Sequence, residues 1–330
     1  MLKIGIDLGG TCIKAGIVRG SAELLQSASV PTKNREDPIA VAKSIAEAVR
    51  RLMEDSGLAV SQAAGLGLGC PGLIDSRSGV VLYSNNFGWV NVPFGPMLEE
   101  QLQLPVRMAN DAQCAALGEA AAGNAVGCGD LVLLTIGTGV GSGIICGGKL
   151  LSQRGGGVAG HMTIVADGKP CTCGKRGCME AYASATALIS RGQELLAAGL
   201  APELRRLCGN DPEKIDGELM FAALSAGDKD VEQAVDDYTR YLAIGICNLI
   251  ELYRPEKVLL SGGLCNAGER LLAPIRAKVS DMLFGGKYLP PPPIGVAGLK
   301  NNAGIMGAAA LLDGALEPGT TEGGTYETGI

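Results

Sequence analysis

Apolar residues along the chain recur with two periods, at every second position or at every third or fourth, and the changes from one to the other mark out its elements. The opening LKIGIDLGG alternates as a buried strand does, and KAGIV beyond the turn predicts a second strand, so a hairpin carries Asp7, Gly9, Gly10 and Thr11 at its bend. From Pro38 to Glu54, Ile39, Ala42, Ile45, Ala46, Val49 and Met53 fall at helical spacing behind an Asp37 cap and a proline at the first helical position. Short strands are predicted at 64–68, running into GCPG, and at 106–109, delivering Asn110 and Asp111 to the start of an alanine-rich helix. A second pair, 131–136 and 143–146, encloses IGTGVGSG and echoes the first hairpin, so two related half-domains are expected. The remainder predicts helices at 179–200, 231–253, 267–282 and 303–312 around one strand at 257–260 that enters SGGL.

These elements give a mixed α/β chain, and a length of 330 residues at roughly 150 per domain gives two domains with a cleft between them. The 28 basic and 34 acidic residues leave a net charge of -6, so no summed positive field is present to draw in nucleic acid or an anionic membrane. Without an apolar run of about 18 residues or a secretory signal, and with an odd count of 11 cysteines, we expect a soluble protein of the reducing cytoplasm whose thiols stay free. Fifty glycines against 4% aromatics imply a backbone that bends tightly and approaches its ligands closely.

Asp7 beside Gly9, Gly10 and Thr11 places a carboxylate next to bare backbone N–H groups, as a site for phosphate and a divalent cation requires; the plainer reading is a hairpin turn. The second turn, with Thr138 and Gly139, supplies another such nest, and the two together favour a nucleotide clamp. No P-loop pattern is present. The nominal G-x-G-x-x-G at Gly67, Gly69 and Gly72 contains Pro71, which prevents a helix from opening there, so dinucleotide binding is rejected. Asn110 and Asp111 at a strand end can serve acid/base chemistry, or simply cap the helix. His161, the only histidine, precedes Cys171, Cys173 and Cys178 in C-x-C-x₄-C spacing and reads as a Cys₃His zinc site with tight turns at Gly174 and Gly177; the alternative is a set of ordinary buried thiols.

DLGGT, GLGCPG, NNFGWVNVPF, ANDAQCAALGE, GTGVGSG, GHM with CTCGKRGCME, and SGGL occur in an order that resembles the ROK family of repressors and sugar kinases, from about residue 4 to 311, and its bacterial glucokinases in particular. The resemblance implies a two-lobed, actin-like (ribonuclease H-like) sugar kinase fold with ATP and Mg2+ in the cleft. It implies a smaller lobe of residues 1–112 plus about 303–315 and a larger lobe of 113–302; the closing stretch, rich in glycine, threonine and glutamate and without helical periodicity, is expected to be a flexible tail at 316–330. Asp111 would be the general base, and Asn85, Asn110, Asp111, His161 and Glu180 would bind a hexose. Asp7, Gly9, Gly10, Thr11, Lys14, Thr138, Gly139, Gly262 and Gly263 would hold the nucleotide. A structural Zn2+ on His161, Cys171, Cys173 and Cys178 would fix the imidazole towards the sugar, and a homo-oligomer, dimer or tetramer, is implied; the apolar faces of the helices after Met179 and Val231 suit either contact across subunits or core packing, equally well.

One departure bears on substrate: Val158 stands where the family pattern has a glutamate three residues before the histidine, which puts glucose itself in question against fructose, mannose, allose or an N-acetylhexosamine. A sugar-sensing regulator is the other class; the expected first strand at Leu2 leaves no room for a DNA-binding helix-turn-helix, and the acidic balance supplies no substitute. Cys12, directly after the first glycine turn, is a candidate redox-sensitive thiol.

Overall fold

The structure is a computed structural model that describes residues 1–151 and 158–314; the tail expected at 316–330 lies outside the described residues. Strands β1 (Leu2–Leu8) and β2 (Cys12–Arg19) form the first hairpin with Asp7 opposite Lys14, and β3 (Glu23–Pro31) extends it. Helix α1 (Pro38–Asp55) begins where the proline predicts, the Asp37 carboxylate accepting the N–H groups of Ile39 and Ala40. Strand β4 (Ala63–Cys70) pairs parallel to β1. A small meander of β5 (Leu73–Asp75), β6 (Val80–Ser84) and β7 (Trp89–Val92) follows, then α2 (Phe94–Leu102) and β8 (Val106–Asn110), which completes a sheet in the order β3-β2-β1-β4-β8.

Helix α3 (Asp111–Ala122) leads out, and the construction repeats. Strands β9 (Leu131–Ile136), β10 (Val140–Cys146) and β11 (Lys149–Leu150) form the second set of hairpins. Five helices follow: α4 (Glu180–Ala183), α5 (Ala185–Ala197), α6 (Pro202–Cys208), α7 (Gly217–Ser225) and α8 (Lys229–Tyr253). Strand β12 (Lys257–Ser261), helix α9 (Glu269–Met282) and strand β13 (Ile294–Val296) close a sheet in the order β11-β10-β9-β12-β13, and α10 (Ala303–Ala310) returns to the first. Numbered within its own half, each sheet has the order 3-2-1-4-5, the duplication that the two glycine hairpins predict.

Several boundaries differ from the sequence reading. The helix expected over 179–200 is broken at Ser184, which takes an extended conformation while its hydroxyl accepts the Ala187 N–H and caps a new helix. Strand β10 starts at Val140 rather than 143 because its ladder continues to Ile136 at the turn. Strand β3, exposed along most of its length, and the short meander carry no clean alternation, so neither is legible as a period.

On the outer face of the first sheet, Ile4, Ile6, Leu8, Leu66 and Leu68 bury against α1 and α2; on that of the second, Val132, Leu134, Ile136, Val258 and Leu260 bury against α8 and its neighbours. Of the two readings of the apolar faces after Met179 and Val231, core packing holds for the residues of this second core. Leu188, Leu195 and Leu196 of α5 pack there with Val231, Leu242 and Ile246 of α8. None of the described helices is long and apolar enough to cross a membrane.

Between the sheets lie two helices, α10 on the first sheet and α3 on the second, crossing each other. Glycine lets their backbones approach. A Cβ on Gly67 of β4 would overlap the Ala308 carbonyl, and one on Gly143 of β10 would lie 2.6 Å from the Ala112 carbonyl oxygen. At the crossing itself, a Cβ on Gly307 would overlap the carbonyl of Cys114. Some of the glycines therefore seat helices on sheets, a use additional to the tight turns expected of them. Gly307→Ala should lower stability by about 3 kcal/mol or more, because backbone on both sides blocks relaxation, seen as a lower urea midpoint with an unchanged m-value.

Candidate active site

The first half contributes Gly72, Asn85, Asn110 and Gln113, and the second Val140, Val158, His161 and Glu180, to a cleft of about 830 Å³. A second cavity of about 600 Å³ is lined by Gly137, Thr138, Phe221, Glu218, Gly263 and Arg270. The turn joining β9 to β10 separates the two, with Thr138 facing one and Val140 the other. Of the residues expected to contact a sugar, Asn85, Asn110, His161 and Glu180 line the larger cleft; Asp111 is set between Asn110 and Gln113, both of which do.

Parallel pairing of β4 with β8 puts Cys70 opposite Asn110 and ends the strand where α3 begins. Asn110 takes the capping role: its Oδ1 accepts the Ala112 N–H at 2.9 Å, its Nδ2 donates to the Gly72 carbonyl at 3.0 Å, and Gln113 accepts the Asn110 N–H at 3.1 Å. Asp111 also accepts from Ala112, at 3.0 Å. Burial raises the Asp111 carboxyl to about 6, against the lowering effect of that backbone hydrogen bond and with a further push upward from the charge of Asp7.

Asp7 ends β1, its Oδ2 lying 3.4 Å from the Lys14 ammonium across the hairpin. The turn closes by a bond from the Gly9 N–H to the carbonyl of Cys12, and Thr32 donates its hydroxyl to the Gly9 carbonyl from beyond β3. On the other hairpin, Gly139 has a packing reason as well: a Cβ there would collide with the Glu180 carboxylate, whose Oε2 accepts the Val140 N–H at 3.0 Å. The other oxygen of Glu180 lies 3.3 Å from the Thr172 hydroxyl and 3.6 Å from the Cys171 thiol. Gly262, at φ +116, lies against the Ile136 carbonyl and brings Gly263 to the wall of the smaller cavity.

His161, Cys171, Cys173 and Cys178 converge with their donor atoms within 4.8 Å of one another. The Cys171 sulfur stands 3.7 Å from His161 Nδ1, and those of Cys173 and Cys178 are 3.7 Å apart. A tetrahedral site with metal–sulfur bonds of about 2.3 Å sets its sulfurs about 3.8 Å apart, so the donor set fits a soft divalent cation. Bridges of Thr163 to Cys178 and Pro170 to Arg176 brace the knuckle, and Gly174 and Gly177 turn it at positive φ. In the absence of a cation, burial and then the neighbouring thiols raise Cys178 to about 12, an arrangement that bound positive charge reverses. Since Nδ1 faces the thiols, Nε2 is the ring nitrogen turned away from them, and His161 lines the cleft.

Several lining residues escaped the sequence reading. Tyr83 and Asn86 flank Asn85 and could have been found by proximity, and Lys175 lies within the knuckle itself. Leu249, Leu252 and Tyr253 at the end of α8, and Phe221, Glu218 and Arg270 around the smaller cavity, carry no local signal; long-range packing alone brings them there.

Comparison with known proteins matches residues 3–315 to the ROK family model. A glucokinase of Halalkalibacterium halodurans is 34% identical over 94% of each chain. A xylose repressor of Caldicellulosiruptor bescii is 29% identical over 94% of this chain and 77% of its own. Among solved structures, a ROK family glucokinase from Streptomyces griseus in complex with glucose and AMPPNP superposes with a TM-score of 0.80 at 33% identity, covering 94% of this chain and 99% of that one.

Displacing Glu180 from the Val140 amide should be measurable directly. Gly139→Ala should speed deuterium exchange at Val140 roughly tenfold or more, since a buried donor left unpaired costs about 1–3 kcal/mol. Gly137→Ala, with open space around the added carbon, should leave that rate unchanged.

Proposed function

The chain belongs to the ROK family and is a hexokinase-type phosphotransferase with an actin-like fold, and we propose that it transfers the γ-phosphoryl group of Mg-ATP to the 6-hydroxyl of a hexose, glucose being the favoured acceptor. The observation that carries the reading is the carboxyl of Asp111, raised to about 6 by burial and by Asp7 where the cleft-lining Asn110 and Gln113 meet. A general base is most effective when its proton affinity lies near the working pH. Asp111 takes the proton of the attacking hydroxyl. Asn85, Asn110, His161 and Glu180 orient the sugar ring, and phosphoryl transfer then depends on positioning and charge neutralisation.

The two cavities on either side of the 137–140 turn suit two substrates whose reacting ends meet. Thr138, Gly139, Gly262 and Gly263 would hold the nucleotide from the second lobe, taken as residues 113–302. Gly9, Gly10, Thr11 and Lys14 would hold its phosphates from the first, taken as 1–112 plus about 303–315, with Asp7 on the magnesium side. Bound Mg2+ would neutralise charge on the phosphates. His161, Cys171, Cys173 and Cys178 would hold a structural zinc ion, which keeps the imidazole in one tautomer and one orientation; the 3.7 Å donor spacings support this.

Val158 favours a second acceptor class. It lines the cleft with 40% of its surface exposed, and an apolar side chain there cannot bond a ring hydroxyl but can pack an N-acetyl methyl, so an N-acetylhexosamine or a differently configured hexose is the alternative. The regulator reading has weaker support, since a net charge of -6 supplies no summed positive field to draw in DNA.

A panel of hexoses and N-acetylhexosamines with Mg-ATP, compared as kcat/KM, tests the proposal, and turnover of none of them would refute it. Asp111→Asn should cut kcat by about 10²–10⁴ with a much smaller change in sugar KM. The wild-type rate should fall as pH drops through about 6, because protonation of a base whose affinity burial has raised removes the active form. Metal analysis should return one zinc per chain; Cys178→Ser should lose it and raise sugar KM.

A further inference from the structure

Glu119 is a fully buried carboxylate that the proposed phosphoryl transfer does not use. Its partners are backbone amides. Oε2 accepts the N–H groups of Asn124 at 2.8 Å and Gly298 at 2.9 Å, and Oε1 accepts that of Leu299 at 2.7 Å. The Glu119 carbonyl also accepts from Gly123 and Ala125.

The location of these amides gives the cluster its meaning. Among the described residues the chain passes from one sheet to the other twice, through α3 and residues 123–130 and through residues 297–302. Asn124 lies on the first crossing, and Gly298 and Leu299 lie on the second. One carboxylate therefore ties both crossings together, and Asn124 adds a second tie by donating its side-chain amide to the Val296 carbonyl at 2.9 Å. Gly118, the residue before Glu119, packs against the Ala303 carbonyl where α10 begins. From this point α3 runs back to Asp111, and Gly304 in the first turn of α10 packs against the Asp7 side chain.

We infer that the Glu119 carboxylate is the pivot that fixes the angle between the two halves, and so sets how Asp7 and Asp111 on the first half stand towards His161 and Glu180 on the second as the cleft closes on sugar. The inference rests on the kinase reading for the event that closes the cleft. A carboxylate can accept several donors at once, bonds to an ionised acceptor are the stronger kind, and inside the protein they cannot be exchanged for water. Rotation of one half against the other thus leaves the clasp nearly still and moves the cleft lips most. Gly123, Gly127 at φ +86, and Gly129 on the first crossing, with Gly298 on the second, can absorb the backbone change that hinges require. Glu119 is a positioning residue; it touches no substrate.

The test separates a pivot from a staple that only stabilises the fold. Glu119→Gln keeps the shape but turns an amide N–H towards backbone donors. The expected result, measured where the variant remains folded, is a sugar KM raised about 10- to 100-fold, as misplacement remote from the chemistry produces, with the Mg-ATP KM changed by less than about threefold. A lower melting temperature with both KM values and kcat unchanged would overturn the pivot. Should the variant not fold, deuterium exchange of the wild-type protein decides: the Asn124, Gly298 and Leu299 amides should be equally protected with and without sugar while amides around Asn85 gain protection. Fast exchange at the three, or protection of them only with sugar, overturns it. If no sugar on the panel is phosphorylated, the kinase reading fails by itself, and the exchange of these three amides without sugar still tests the clasp.

Discussion

Direct contact between the backbones of α3 and α10 is the constraint from which the rest of this molecule follows. Each helix lies on its own sheet through glycines, and the two meet where a Cβ on Gly307 would run into the carbonyl of Cys114. With no side chain between them, the distance between the sheets has one value instead of a range. Interiors packed this closely pass displacement on instead of absorbing it, so the separation of Asp7 and Asp111, at strand ends of the first sheet, from Val140 and Glu180 on the second half is set by atoms outside the cleft. The small, apolar composition of α3 and α10, Ala112, Ala116, Ala308 and Ala309 among them, serves the same purpose.

The same principle acts once more inside the cleft. Gly139 leaves room for Glu180, Glu180 accepts the Val140 N–H, and the hairpin between the cavities is thereby joined to the helix that follows the knuckle. The knuckle in turn places His161 Nδ1 against thiols, so the direction of the ring is decided by groups behind the cleft wall. Electrostatics adds a further coupling: Asp7 on one hairpin raises the proton affinity of Asp111 at the start of the helix. Change at any of these places is felt at the others through contact or charge.

Relatives of this chain include both a glucokinase and a xylose repressor, so the duplicated sheets and the cleft between them are a shared frame. On this frame the chain carries Asp111, its proton affinity raised by burial, beside the cleft-lining Asn110, and an apolar Val158 in the cleft wall.

How much could be read from the sequence divides along physical lines. Alternation in LKIGIDLGG, the Asp37–Pro38 helix start, the two glycine hairpins and the Cys₃His spacing were legible because each depends on residues within a turn or two of one another. Strand β3 and the meander were not, since mostly exposed or very short strands bury too little to leave a period. Asn110 and Asp111 could be placed at a strand end, but which of them caps the helix was decided by bonds to Gly72 and Gln113. The apolar faces of α5 and α8 suited a core or a partner equally in the sequence, and packing across the second half decided for the core. Local chemistry along the chain determined the elements and the candidate groups. Only the tertiary structure brought Glu180 to Gly139, Leu249 to the cleft and Glu119 to Leu299, because contacts over such separations depend on where every intervening element packs, a property that no local window of sequence contains.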